Sequence, residues 1–230
     1  MKSGSAHGKG ILYYKNGNIK YEGDFINDKF EGNGKYIWKE GHYYSGDWKN
    51  GSKHGKGIIY YKNGNIKYEG DFINGKLEGN GKYIMENGEY YTGEFKNGSK
   101  YGKGIEYYKN GNIKYEGDFI NNKFEGNGKY IYENGEYYIG EFKNDLRHGK
   151  GILCYKNGNI KYESDFINDK FEGKGIYIFE DGNYYIGEFK NGSKHGKGRI
   201  YYSNGNIKYE GNFINDEIEG NGIFIYENGE

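Results

Sequence analysis

Four carboxylates, Glu22, Asp24, Asp28 and Glu31, crowd the stretch YEGDFINDKFEGNGKYI from Tyr21 to Ile37, beside the glycine pair Gly32-x-Gly34. Glu22 and Asp24 have the composition of an acid/base pair, and the glycines could cradle a phosphate with backbone N–H groups. The stretch then recurs as YEGDFINGKLEGNGKYI at 68–84 and YEGDFINNKFEGNGKYI at 115–131, and with substitutions at 162–178 and 209–225. An active site is built once and a structural unit many times, so these carboxylates read as part of a repeated brick. The GKG and GNG triplets lie within strand-like segments and open no helix, so the phosphate reading lacks its context.

The other reactive side chains fare no better as sites. His7, His54, His148 and His195 share one repeat position, with Tyr101 completing the column. Successive members lie four strands apart, roughly 19 Å, whereas metal ligation needs bonds of about 2 Å. The expected register sets His54 opposite Asp47 and His148 opposite Glu141, as surface ion pairs. Cys154 is the lone cysteine; it excludes an internal disulfide, points to a reducing compartment, and reads as a substituted tyrosine. The expectation is no catalytic residue, no metal and no cofactor.

What, then, do these residues build? Hydrophobic content is 34%, with 43 glycines, no proline and 29 tyrosines among 230 residues. That is too little Leu, Ile and Val for a layered core, yet 19% aromatics is too many for a disordered chain. Rings must supply the buried area. Net charge is zero and only Arg147 and Arg199 are arginines, so nucleic acid is not an expected partner. The opening MKSGSAHGKG has no apolar signal region and the longest apolar runs are too short to span a bilayer. The expected setting is cytoplasmic, peripheral to a membrane or the cytoskeleton.

The pattern Tyr-x-Gly-x-aromatic begins at Tyr21, Tyr44, Tyr68, Tyr91, Tyr115, Tyr138, Tyr162, Tyr185 and Tyr209, with its ring partner at Phe25, Trp48, Phe72, Phe95, Phe119, Phe142, Phe166, Phe189 and Phe213. These are the structural aromatics of the repeat. Steps alternate between 23 and 24, so the true period is 47 residues. Apolar and polar residues alternate with period two, which predicts strands. Turn signals fall at Asn16-Gly17, Asn27-Asp28, Glu40-Gly41 and Asn50-Gly51 and then repeat. A two-residue turn at Asn27-Asp28 would pair Phe25 with Phe30, Gly23 with Gly32 and Tyr21 with Gly34. One at Asn16-Gly17 would pair Tyr14 with Ile19 and Leu12 with Tyr21. A three-residue loop over 39–41 would pair Trp38 with His42 and Tyr36 with Tyr44. Alternation of two- and three-residue loops is then the expected cause of the alternating step.

The expected fold is all-β: a single-layer antiparallel meander of about 19 strands at ~4.8 Å spacing, curled into an elongated gutter roughly 90 Å long. Residues 1–230 form one repeat array with partial units at both ends, as in a fragment of a longer array, and the open sheet ends allow self-association. One face carries Leu12, Tyr14, Ile19, Tyr21, Gly23, Phe25, Gly32, Gly34, Tyr36, Trp38, Tyr44, Gly46 and Trp48, and the other the charges. Rings opposite glycines can lie flat over them.

Units reading Tyr-x-Gly-x-(Trp/Phe)-x-x-Gly-x-x-x-Gly-x-Gly, such as YSGDWKNGSKHGKG (44–57) and YTGEFKNGSKYGKG (91–104), resemble the MORN repeat, the membrane occupation and recognition nexus. The resemblance covers essentially the whole chain. Segments such as YYKNGNIKYEGDF resemble the variant found in bacterial proteins, some antitoxin-like. Ser164 for glycine, Asn212 for an acid, Cys154 for tyrosine and DLR (145–147) for GSK depart from the pattern. The resemblance implies rows of hairpins forming a groove that holds proteins together, with phosphoinositide binding proposed for some members.

Function is therefore expected in a non-enzymatic scaffold that holds a partner helix or peptide in an aromatic groove. Tyr14, Trp38, Tyr61, Tyr108 and Tyr132, near the rim, and Leu146, apolar at a turn, are the candidate contacts. A second reading is a lipid-surface module in which Lys9, Lys56, Lys103, Lys150 and Lys197 meet anionic head groups. A third is an antitoxin-like or surface-binding array.

Overall fold

The computed structural model describes residues 4–227. Among the described residues the fold is all-β, with nineteen strands and every described pairing antiparallel. The chain divides into two compact units, Met1–Ile113 with Phe119–Asn122, and Lys114–Asp118 with Lys123–Glu230. The first unit contains β1 (Gly8–Tyr13), β2 (Ile19–Ile26), β3 (Lys29–Ile37), β4 (Tyr43–Lys49), β5 (Ser52–Tyr60), β6 (Ile66–Ile73), β7 (Lys76–Ile84), β8 (Tyr90–Lys96) and β9 (Ser99–Tyr107). Residues of β10 (Ile113–Ile120) are shared between the units. The second contains β11 (Lys123–Ile131), β12 (Tyr137–Lys143), β13 (Leu146–Cys154), β14 (Ile160–Ile167), β15 (Lys170–Ile178), β16 (Tyr184–Lys190), β17 (Ser193–Tyr201), β18 (Ile207–Ile214) and β19 (Glu217–Phe224). Within each unit consecutive strands pair in chain order, so each is a meander.

The repeat tyrosines form the core. All nine, from Tyr21 to Tyr209, are 0% exposed. Each ring covers glycines: a Cβ on Gly34 would fall within 2.6 Å of Tyr21 Cε2, and the Tyr21 hydroxyl donates to the Asp24 carbonyl at 3.1 Å. Phe25 meets the ring edge-on at 5.2 Å and Phe30 stacks on it at 3.8 Å. Because an edge-on or offset pair adds stability beyond its buried area, a one-layer sheet can hold together on rings alone.

Two features of the register differ from the expected one. Tyr21 pairs with Tyr36 and Gly23 with Gly34, while Asp24 still pairs with Glu31 and Phe25 with Phe30. The extra residues form a bulge at Gly32-Asn33, where Gly32 takes φ +61°, a conformation that glycine adopts at little cost. The Tyr21 ring does reach Gly34, but from a neighbouring rung.

The Asn-Gly loops at 16–17 and 63–64 close with three residues, not two: Tyr14 N–H donates to Asn18 at 2.8 Å, and Gly17 N–H to Tyr14 at 3.0 Å. The loop at 39–41 closes identically, with Trp38 bonded to His42 at 3.0 Å. Loop length therefore cannot set the alternating step. Its source is a bulge: Ile59 pairs with Tyr68 and Tyr60 with Ile66, leaving Lys67 unmatched, whereas Tyr36–Tyr44 and Ile37–Tyr43 run without a gap. True two-residue turns occur at Asn27-Asp28 and Asn50-Gly51, with both residues at positive φ.

Candidate partner-binding face

All five predicted rim aromatics do the same local job. Tyr14, Trp38, Tyr61, Tyr108 and Tyr132 each precede a three-residue loop and donate their N–H across it. Tyr155, Phe179 and Tyr202, which sequence reasoning missed, occupy the same position in the second unit. Their signal was present, since each stands just before a KNG, EDG or SNG triplet. All these rings share a half-buried state.

Part of that surface is spent on the fold. Tyr14 donates its hydroxyl to the Ile37 carbonyl at 2.9 Å, Tyr61 to Ile84 at 2.7 Å, and Tyr155 to Ile178 at 2.8 Å. Burial raises the Tyr61 and Tyr132 phenols above their usual range and lifts Tyr155 to about 12. Trp38 stacks on His42 at 4.5 Å and Tyr132 leans on Tyr130 at 4.9 Å. In the second unit the loop row encloses a concavity of about 520 Å3, lined by Asn134, Glu136, Tyr155, Phe179 and Glu180 among others. Leu146 opens β13, pairs with Lys143 and is 37% exposed.

The core face is not purely apolar, contrary to expectation. Lys53, opposite Trp48, begins a basic column that recurs every 47 residues as Lys100, Arg147 and Lys194. The Lys53 ammonium lies 5.4 Å from the Trp38 ring, 5.7 Å from Tyr44 and 5.3 Å from Phe72. Arg147 lies 5.0 Å from Phe166, and Lys194 5.8 Å from Tyr185. A lysine can bury its stem on rings and keep its charge against their faces, which is why a cation survives here.

Nor does the second face carry charges alone. Tyr43 and Tyr60 stack at 4.4 Å, Tyr90 and Tyr107 at 4.3 Å, Tyr184 and Tyr201 at 4.6 Å. Lys35 caps Tyr43 at 4.2 Å and Lys82 caps Tyr90 at 4.4 Å. A single layer has two faces to cover, and the second does so with cross-strand ring pairs. Cys154 stands opposite Tyr137, where Tyr60 stands opposite Tyr43, and it is buried.

The expected histidine ion pairs do not form among the described residues. Asp47 instead accepts the Lys56 N–H at 3.1 Å and lies against Gly55. His195 does stand opposite Glu188, but that carboxylate lies against Gly196. In both cases the short backbone at glycine admits the carboxylate. In the lysine row, Lys56 pairs with Asp71 at 2.6 Å and Lys150 approaches Asp165 at 3.9 Å. Acids therefore neutralise part of the proposed lipid-facing charge. Among the described residues, no cluster of His, Cys, Asp and Glu could hold a metal ion, and no helix is long and apolar enough to cross a membrane.

The family described as MORN repeat matches at residues 21–43, 44–66, 68–90, 91–113, 115–137, 138–160, 162–184, 185–207 and 209–230, and the MORN repeat variant matches at 6–27. No curated protein matches the chain.

Proposed function

Because the chain belongs to the MORN-repeat family, whose members are generally protein- or membrane-binding repeat modules and not catalysts, we propose that it is a scaffold that holds a partner helix or peptide on its aromatic face. The observation that carries this reading is the row of half-buried, loop-closing rings, with cations set among the aromatics behind it. Such a surface offers apolar area and fixed charge together, which suits an amphipathic segment better than a small polar substrate.

The test is capture from native extract by crosslinking and pull-down, comparing the wild type with Trp38→Ala/Tyr61→Ala/Tyr108→Ala. Capture should fall while the circular dichroism spectrum stays that of a folded β-protein. Equal capture by both proteins would remove the reading. The rival is a lipid-surface module. Cosedimentation with anionic vesicles that weakens steeply as salt rises would favour that rival.

A further inference from the structure

The basic column is completed differently in each period. Lys100 has a carboxylate built into its own strand: Glu106 takes the place held by Ile59 one period earlier, and the two side chains pair with only 12% and 11% of their surface exposed. Arg147 is met by Asp169 at 3.0 Å, from the following two-residue turn. Lys194 has Asp216 at the corresponding turn position, bound to its backbone N–H at 2.9 Å. Lys53 has neither. Ile59 stands where Glu106 would, and Gly75 stands where Asp169 and Asp216 do.

The position beside Lys53 is also open. Gly75 donates its N–H to the Lys53 carbonyl at 2.8 Å, and nothing lies within 4 Å of where a Gly75 side chain would begin. No ion pair to Lys53 is found among the described residues, whose salt bridges include both Lys100–Glu106 and Arg147–Asp169. Burial holds the Lys53 ammonium below the usual lysine range. A cation taken part-way out of water with no counter-ion is a costly arrangement, and a bound anion relieves it.

We propose that Lys53, boxed by Trp38, Tyr44 and Phe72, is a carboxylate-binding site, and that the partner held on this face fills it with an aspartate or glutamate side chain. Two of the chain's own solutions identify the ligand: Lys100 pairs with a glutamate and Arg147 with an aspartate, while Asp216 holds only the backbone of Lys194. One ammonium also balances one carboxylate, whereas a phosphate dianion would leave charge uncompensated against the rings. The partner half of this statement rests on the function proposed above.

The experiment follows the lysine ε-carbon resonances of the full chain, with Lys53 assigned through Lys53→Arg, during titration with N-acetylglutamate N-methylamide and its glutamine analogue. The glutamate probe should shift Lys53 saturably and the glutamine analogue should not. Gly75→Asp and Ile59→Glu each supply an internal carboxylate and should weaken the response about tenfold, the scale of one charge-assisted hydrogen bond. Glu106→Ile should make Lys100 responsive as well. Gly75→Asp keeps the test sound should Ile59→Glu fail to fold, since Asp28, Asp169 and Asp216 already adopt φ of 64°, 68° and 72° at that turn position.

A Lys53 shift no larger than that of exposed Lys15, or an unchanged response in the folded Gly75→Asp variant, would overturn the site. Stronger binding of inorganic phosphate or phosphatidylserine vesicles at Lys53 would overturn the carboxylate assignment. If Gly75→Asp captures the extract partner as well as wild type, the partner's use of the site fails while the scaffold reading stands. If the triple aromatic variant captures undiminished while Lys53 still binds the probe, the scaffold reading fails and the carboxylate site stands.

Discussion

The hairpin of β2 and β3 and the hairpin of β14 and β15 occupy the same repeat position, but one carries Gly23 where the other carries Ser164. In the first, Gly23 pairs with Gly34, and a Cβ on Gly23 would stand 2.5 Å from the Tyr21 hydroxyl and 2.6 Å from the Gly34 Cα. In the second, the ladder runs from Glu163–Ile176 to Asp165–Glu172 with a shift between them and no Ser164–Gly175 rung. The Ser164 hydroxyl donates to the Lys174 carbonyl, and the Tyr162 hydroxyl lies between the Asp165 and Glu172 carbonyls at 3.2 and 3.5 Å. Both tyrosines remain fully buried. The glycine at this position therefore lies against a ring, and the Ser164 hairpin accommodates a side chain there with its tyrosine still buried; the missing rung is shared with the β18–β19 hairpin, which keeps Gly211. Gly32 is a different case, because its positive φ demands glycine whatever the space.

The comparison is broken most directly by removing the rings. Tyr21→Ala should cost about 4 kcal/mol, as for other large-to-small core changes, and Tyr162→Ala about 1 kcal/mol less because its ring has already lost its tightest glycine contact. Chemical unfolding of the two variants checks the order. Transplanting the second hairpin into the first with Gly23→Ser should destabilise by about 2 kcal/mol and speed amide exchange at Gly34; an unaffected midpoint would show that ring approach is not what the glycine serves. Tyr61→Phe, which removes only the hydroxyl bond to Ile84, should cost about 1 kcal/mol.

Alkali probes the same rings more gently. Burial raises Tyr21 and Tyr162 to about 12, and Tyr44 and Tyr68 higher still. In the unfolded chain a phenol ionises near ~10, so their contribution is whole below pH ~10 and is lost as pH rises through ~12. Melting temperature should hold up to about pH 10 and then fall, with tyrosinate absorbance appearing together with unfolding. Independent titration of these phenols near 10 in the folded protein would contradict their burial.

Strand type, strand number, the buried tyrosine column and its glycine partners were legible because a two-residue alternation and a 47-residue period are visible without coordinates. Register was less so. Asn-Gly serves both a two-residue turn at Asn50-Gly51 and the end of a three-residue loop at Asn16-Gly17, and only the hydrogen bonds separate the two. Bulges at Gly32-Asn33 and Lys67 shift pairing by whole residues while leaving composition unchanged. The candidate face was half legible: five of the rings before the three-residue loops stood out and three did not, and Lys53 was missed because a lysine in a polar GSK triplet reads as solvated until the Asn50-Gly51 turn sets it opposite Trp48 on the core face.

The uniformity of the tyrosine–glycine seam reaches beyond stability. Deleting Tyr44 to Tyr90, 47 residues, would bring Tyr91 into the place of Tyr44, with Gly93 for Gly46 and Phe95 for Trp48, so the new junction would repeat the old one almost residue for residue. A gene built this way can gain or lose a period by replication slippage without inventing an interface. Array length can then respond to selection separately from the fold, while departures such as Glu106 and Gly75 alter single copies without disturbing the tyrosine–glycine seam.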